Sequence, residues 1–471
     1  ANMSVILYVA VVAIGAWLLY SKRASRPPKL NLPYLKFEGD NSAARYRSES
    51  ESILKRGYER QSILTQIGGP GITEEVALAA REGLNRALGW FAGIVVREKR
   101  ILTCGFSNSS LDRTSATGMY GCLCKRNATM PSMSACAIVG PELGGIDSEW
   151  QSLSMNYVAA ALGAPGVVKR KYPRWLYWLS QYMNDGIKSM WKHRARARVI
   201  LAPVLQSRID ATEKLKASGR KNPKGPRKYE DGVQWLLDAH TAHGKALTTD
   251  QLAQDLFVIM TASIHSTSGA GLAIIFDMLG HPDTLSNIIQ EIQQIQSQLE
   301  GGVWTRRSLG DLRLLDSFMR ESARVHALTH YTAAQRIPTA PWKFNDGLEI
   351  PAGTTMAFPS YHHNFDPAIH PNPETFDARR HLRKREGIDT HKFHFASASE
   401  DMLGWGVGRH ACPGRFFAQE TLNLLLIQLL TRYEFKYPDG TEEIPRFLPM
   451  NLFLVPNPAL PILVKERTEI L

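Results

Sequence analysis

The order of apolar and polar positions divides this chain into an apolar lead, a patternless stretch and a long body of helical repeats. Residues Ser4 to Tyr20 carry no charge and are apolar on every face. As a helix they would reach about 26 Å, close to the hydrocarbon thickness of a bilayer. Lys22, Arg23 and Arg26 follow, with no basic residue before the segment, which places its C-terminal end on the cytosolic side. The pattern predicts a transmembrane anchor over 4–20, a basic hinge stiffened by Pro27, Pro28 and Pro33 over 21–36, and a folded domain over 37–471. Within that domain residues 40–60 read as a helix, with Tyr46, Ile53, Leu54 and Tyr58 spaced among charges.

Residues 61–136 offer neither an alternating strand nor a helical repeat, and Leu102 to Met133 is rich in Ser, Thr, Gly, Met and Cys. Periodicity returns further on. Thr248-Thr-Asp250 supplies an N-cap signal for a long helix that ends near Gly280, with Pro282 beyond it. Leu285, Ile288, Ile289, Ile292, Ile295 and Leu299 mark the apolar stripe of a second helix, and Leu312 to His326 a third. Gly347 to Phe358, punctuated by Pro351-Ala-Gly, reads as strand, turn and strand. The expected fold is mainly α with a small β region.

Composition adds limits. A hydrophobic share of 44% with 21% charged residues describes a globular chain without a large disordered part. The net charge of +12 suits an acidic partner or an anionic membrane surface, and no nucleic-acid-binding motif accompanies it. Five cysteines are few and odd in number, so thiols are expected rather than a disulfide framework. Cys104, Cys122, Cys124 and Cys136 lack paired Cys-x-x-Cys spacing and have no histidine among them, which argues against zinc. Lys214 to Lys228 reads as an exposed basic loop. Lys169 to Trp178 and Trp191 to Arg198 mix bases with aromatics, as a solvated helix face would, or as a contact with lipid or an acidic protein would.

The densest chemistry lies in Leu403 to Glu420. Glycines precede a lone cysteine, Cys412, and an apolar helical stretch follows it. A cysteine ahead of a helix has its thiolate favoured by the helix dipole and the free N–H groups. Gly406, Gly408 and Gly414 leave room for a flat ligand, and Pro413 suits a first helical turn. A buried structural cysteine is the plain alternative. The spacing of Trp405, Gly408, His410, Cys412 and Gly414 resembles the haem-binding loop of the cytochrome P-450 superfamily, and the run through Phe416 is most similar to fungal members. By that resemblance haem b is the cofactor, Cys412 the axial thiolate and His410 a propionate partner, with Trp405 in place of the usual Phe beneath the haem.

The resemblance extends from about Ala137 to residue 465. Ala137 to Leu143 and Leu153 to Tyr157 are similar to a helix pair of the fungal branch. Ala262-Ser-Ile-His-Ser-Thr-Ser268 resembles the oxygen-activating segment. It implies that Ser266 or Thr267 passes protons for oxygen activation and that His265, a residue type whose unperturbed pKa lies near neutrality, helps to supply them. Glu321 and Arg324 share a helix face, and the resemblance adds Arg380 as a third member of a cluster that fixes the thiolate loop. Ala327 to Ala333 and Pro449 to Leu454 correspond to substrate-lining segments, with Leu328, His330 and Tyr331 set against Met450, Leu452 and Phe453.

The expectation is a haem-thiolate monooxygenase of the endoplasmic reticulum membrane, its catalytic domain facing the cytosol. It would take electrons from an NADPH-dependent P-450 reductase, because no dinucleotide fingerprint occurs in the chain. Its substrate would be lipophilic, a terpenoid-like or other secondary metabolite. Two alternatives stand beside it: an isomerase or dehydratase on the same fold that needs no dioxygen, and an inactive haem-binding relative, suggested by residues 61–136.

Overall fold

The computed structural model describes residues 112–115 and 129–467, less 146–147, 174–175, 218–228, 230, 328–336, 345–346, 355, 409–410, 442, 451–452 and 458–459. The anchor and hinge over 4–36, the helix expected over 40–60, the cysteines Cys104, Cys122 and Cys124, and Leu328, His330, Tyr331, His410 and Leu452 lie outside these residues.

A short strand, β1 (Asp112–Ser115), precedes helices α1 (Thr129–Val139), α2 (Glu149–Lys171), α3 (Asp185–Ala217), α4 (Gly232–Ala242), α5 (Thr249–Gly280), α6 (Pro282–Gln296) and α7 (Arg313–Val325). Strands β2 (Trp342–Lys343) and β3 (Glu349–Ile350) follow, then helices α8 (Arg380–Gly387) and α9 (Arg415–Arg432). The chain closes with β4 (Tyr433–Lys436), β5 (Phe447–Met450), β6 (Phe453–Pro456) and β7 (Pro461–Glu466).

Helix α5 is the axis of the molecule, about 48 Å long, and it touches α1, α2, α3, α4, α6, α7 and α9. Its start follows the sequence closely: the Thr248 hydroxyl accepts from the N–H of Gln251 at 3.2 Å, and the Gln251 side chain accepts from the N–H of Thr248 at 3.2 Å. Among the described residues it is the one helix long and apolar enough to cross a membrane, yet 61% of that apolar window is buried within the protein. The helix is therefore core, wrapped by its neighbours rather than by lipid. Phe257 is clamped between Tyr157 of α2, ring centroids 4.0 Å apart, and Trp150, 5.4 Å away, all three rings nearly parallel.

The expectations for residues 61–136 need correction at two places. Asp112–Ser115 pairs antiparallel with β7, from Asp112 against Val464 to Ser115 against Pro461, in a sheet of order β1-β7-β4. A polar edge strand needs no alternation of its own, because Ile462 and Val464 of β7 bury the apolar face. Helix α1 begins inside the patternless stretch. Met133, Ala135, Cys136, Ala137, Ile138 and Val139 are all buried, and a run buried on every side carries no amphipathic repeat to read.

Three boundaries also move. Helix α3 runs through Lys214 to Ala217, so the basic loop begins later than expected. The hairpin near Gly347 pairs Trp342 with Ile350 across the turn at Phe344 to Gly347, rather than across Pro351-Ala-Gly. Gly347, at φ 90°, supplies the left-handed residue that this turn requires. Pro413 stands ahead of the cap of α9 rather than in its first turn, since Gly414 is the cap and Arg415 the first helical residue.

Replacing Phe257 by Ala should lower stability by about 3–5 kcal/mol, as expected when an aromatic ring leaves a closed core. Urea denaturation of the variant measures it.

Candidate active site

The site is built outward from helix α7. Its N-terminal N–H groups are capped by a carboxylate from the neighbouring helix: Glu291 of α6 accepts from Leu314 N at 2.8 Å and Leu315 N at 3.0 Å. Two turns along, Glu321 is fully buried. Arg324 grips it with two bonds, Nε at 3.0 Å and Nη2 at 2.8 Å. From α8, the Arg380 Nε donates to both carboxylate oxygens, at 3.1 and 3.2 Å. The backbone N–H of Asp377 adds a bond at 3.0 Å. The two arginines then fix peptide carbonyls, Arg324 that of Asn364 and Arg380 those of Pro371, Asn372 and Thr375. The three residues expected from the sequence are thus brought together.

A fourth member was not foreseen. His381 is fully buried and its Nε2 lies 3.2 Å from Glu321 Oε2, so the proton sits on that nitrogen and is donated to the carboxylate. Burial opposes ionisation of Glu321, but the bonds from His381 and Arg324 outweigh it and hold the carboxyl well below the usual range. Burial also drives His381 down to about 3 despite that bond, and nearby His370 down to about 4. A lone histidine beside an arginine gave no sequence signal of this contact.

The other side of α7 holds the approach to Cys412. Arg320 donates to the carbonyls of His394 and Ser397 and to the side chains of Ser399 and Asp401. Asp316 accepts from Arg385 Nη1 at 2.8 Å, from the N–H of Phe395 and from Gln419 Nε2 at 2.6 Å. Burial raises the Asp316 carboxyl above its ordinary pKa, opposed first by the Arg385 charge. A cavity of about 840 Å³ lined by His281, Phe376, Arg379, Arg380 and Arg383 lies behind this scaffold. Neither Cys412 nor Ser266 lines it, so it is not the reaction site.

The loop itself starts with a single turn at Leu403–Trp405 and passes through Gly406 and Gly408, whose φ values of 71° and 67° would strain any residue with a Cβ. Beside Gly408 a Cβ would meet nothing within 4 Å, so the loop borders open space. The N–H of Cys412 donates to the carbonyl of Trp405 at 2.7 Å, and Arg415 Nη1 donates to the carbonyl of Cys412 at 2.9 Å. The Cys412 thiol is a half-buried free cysteine. Burial pushes it up, while the N–H of Gly414 and the charge and N–H of Arg415 pull it down. A sulfur with two N–H donors, on a loop that borders open space at Gly408, fits a metal that would keep it as thiolate. Trp405 packs edge-on to Phe395, centroids 5.5 Å apart, and its indole N–H donates to the Phe395 carbonyl at 2.6 Å.

Helix α5 crosses α9 at Gly271, where the space for a Cβ is taken by Leu422 at 3.2 Å. Ser266 lies little more than a turn before the crossing. Ala262 and Ser266 are exposed, with Thr261, Ser263 and His265 half-buried beside them, whereas Thr267 and Ser268 turn into the core. The Ser266 hydroxyl donates to the carbonyl of Ala262 at 2.8 Å. His265 is half-buried, and burial lowers its pKa below the ordinary imidazole value. The structure therefore separates Ser266, on the open side, from Thr267, on the closed one.

A sequence model described as cytochrome P450 matches residues 171–464. A "Cytochrome P450 monooxygenase CYP2" of Pyricularia oryzae is 37% identical over 339 residues, covering 72% of each chain. "Cytochrome P450 monooxygenase ccsG" of Aspergillus clavatus is 32% identical across 99% of both chains. "Pyrichalasin C-7 hydroxylase" of Pyricularia grisea is 27% identical, over 93% of this chain and 94% of its own.

Glu321→Ala should leave two buried guanidinium groups unpaired, at a cost of about 3–5 kcal/mol, and give protein with little bound haem. Haem content per chain after purification checks this, and a normal content would contradict it. The acid side has a sign. His370 and His381 bind protons in the unfolded chain near 6.5 but only near 4 and 3 when folded. Their contribution to stability is present above pH 6.5 and is lost as pH falls toward 4 and 3. The slope of stability against pH between 4 and 6 should become shallower in His381→Phe.

Proposed function

The chain belongs to the cytochrome P450 family and is an oxygen-incorporating oxidoreductase, and from that premise we propose that it hydroxylates a lipophilic secondary metabolite at the face of α5 marked by Ala262 and Ser266. The overall change balances as substrate, dioxygen, NADPH and a proton going to hydroxylated substrate, water and NADP⁺. Bound haem supplies the reductive activation of dioxygen. Everything else falls to side chains and backbone of this chain.

Cys412 would hold the iron, with the N–H groups of Gly414 and Arg415 stabilising negative charge on its sulfur. Glu321, Arg324 and Arg380 would hold the loop that presents it, Trp405, Gly408 and Gly414 would border the cofactor, and His410 would meet a propionate. The observation that carries the reading is the exposure of Ala262 and Ser266 on α5. Ser266 would hold and pass a proton there, and His265, shifted toward its neutral form by burial, would relay one. Thr267 faces the core, which favours Ser266 over it.

Electrons would come from an NADPH-dependent P-450 reductase, drawn to a chain of net charge +12. Residues 4–20 would anchor the chain in the endoplasmic reticulum membrane with the catalytic domain in the cytosol. An exposed aromatic patch supports contact with a membrane surface: Trp178, Tyr182 and Met183 of the short helix Tyr177–Met183 and Trp191 of α3 are 62, 57, 55 and 45% exposed, with the Tyr182 and Trp191 rings 5.9 Å apart. The pyrichalasin hydroxylase among the relatives supports a natural-product substrate, terpenoid-like or of another lipophilic class.

With reductase, NADPH and isotopically labelled dioxygen, the product should gain one labelled oxygen. Product formation without dioxygen would point to the isomerase or dehydratase instead. Ser266→Ala should uncouple NADPH oxidation from product by about 10²-fold or less, in the lower range for loss of a general acid, and more than Thr267→Val. His265→Ala should uncouple in the same direction, and full coupling would remove His265 from the relay.

A further inference from the structure

The carbonyl of Trp405 receives the N–H of Cys412, so whatever fixes Trp405 fixes the backbone that carries the sulfur. Trp405 is itself fixed by its indole N–H on the carbonyl of Phe395. Phe395 in turn is fixed by its own N–H, which donates to both oxygens of Asp316 at 3.1 and 3.3 Å. The same carboxylate takes Gln419 of α9, on the helix that follows Cys412, and Arg385 of α8. His394 Nδ1 lies 3.7 Å from it. Asp316 is buried, so none of these donors competes freely with water. The two ends of the thiolate loop, Trp405 before it and Gln419 after it, therefore converge on one carboxylate of α7.

Resting on the haem-thiolate reading, we propose that Asp316 and the indole N–H of Trp405 form a positioning relay that sets the height and tilt of Cys412. The relay is separate from the Glu321 cluster, which holds the segments around Asn364, Pro371 and Thr375 from another face of the same helix. A phenylalanine at position 405 would fill the ring space against Phe395 and leave the Phe395 carbonyl without its donor. Tryptophan is thus a functional choice here and more than a larger ring.

Hydrogen–deuterium exchange of the purified full chain tests this without depending on turnover. In Trp405→Phe the peptides spanning Trp405 to Cys412 should exchange about tenfold faster, the size of one buried hydrogen bond lost. Asp316→Asn should speed exchange in the same peptides, and the double variant should go no faster than the faster single one. Where Asp316→Asn fails to fold, Gln419→Met, which removes one donor and leaves the carboxylate paired with Arg385, takes its place in the cycle. In Trp405→Phe the red-shifted Soret band of the reduced carbon monoxide complex should also fade at lower urea than the secondary structure does. Unchanged exchange in Trp405→Phe, or effects that multiply independently in the double variant, would overturn the relay. A wild-type protein without that Soret band would refute haem-thiolate ligation, and the exchange cycle would still decide whether the relay exists.

Discussion

Everything at this site hangs on the burial of one carboxylate among cations. Glu321 is ionised in a fully buried position because two guanidinium groups, one imidazole N–H and one peptide N–H converge on it. Such a group is weak evidence for net stability, since desolvation offsets much of the attraction. Its consequence is geometric. The arginines it orients reach on to peptide carbonyls at the end of the short helix Ser360–Asn364 and in the irregular stretch from Asn372 to Thr375, and fix both against α7.

Helix α7 distributes that order on two sides. Glu321 and Arg324 face α8 and the segment before it, while Asp316 and Arg320 face the long stretch that leads to the thiol loop. Glu291, capping the start of α7, ties this helix to α6 and so to the end of α5. Helix α5, which carries His265 and Ser266, and the loop that carries the Cys412 sulfur are thereby referred to one frame. A site whose two halves come from distant parts of the chain needs such a frame, because a small misplacement at the reacting atoms is costly.

Much of this was legible in the sequence, and the reasons differ by element. Helix α5 was readable because its cap, Thr248, and its end, Gly280, are local signals. The convergence of Glu321, Arg324 and Arg380 was foreseen because the family resemblance carried the third member across a long gap. Helix α1 was hidden by its own burial, and β1 by being a polar edge whose partner supplies the apolar face. His381, Asp316 and Gln419 were illegible for a simpler reason. Each acts through a contact more than fifty residues away in sequence, and nothing local marks it.

Sulfur ligation by Cys412 is the role that the glycine loop, the N–H donors and both faces of α7 would serve together. The most direct measurement is the absorption spectrum of the reduced, carbon monoxide-treated wild-type protein beside Cys412→Ser. A thiolate ligand gives the strongly red-shifted Soret band in the wild type and its loss in the serine variant. A wild-type band at the position of an imidazole-ligated or ligand-free haem, or the same red-shifted band in both proteins, would contradict it.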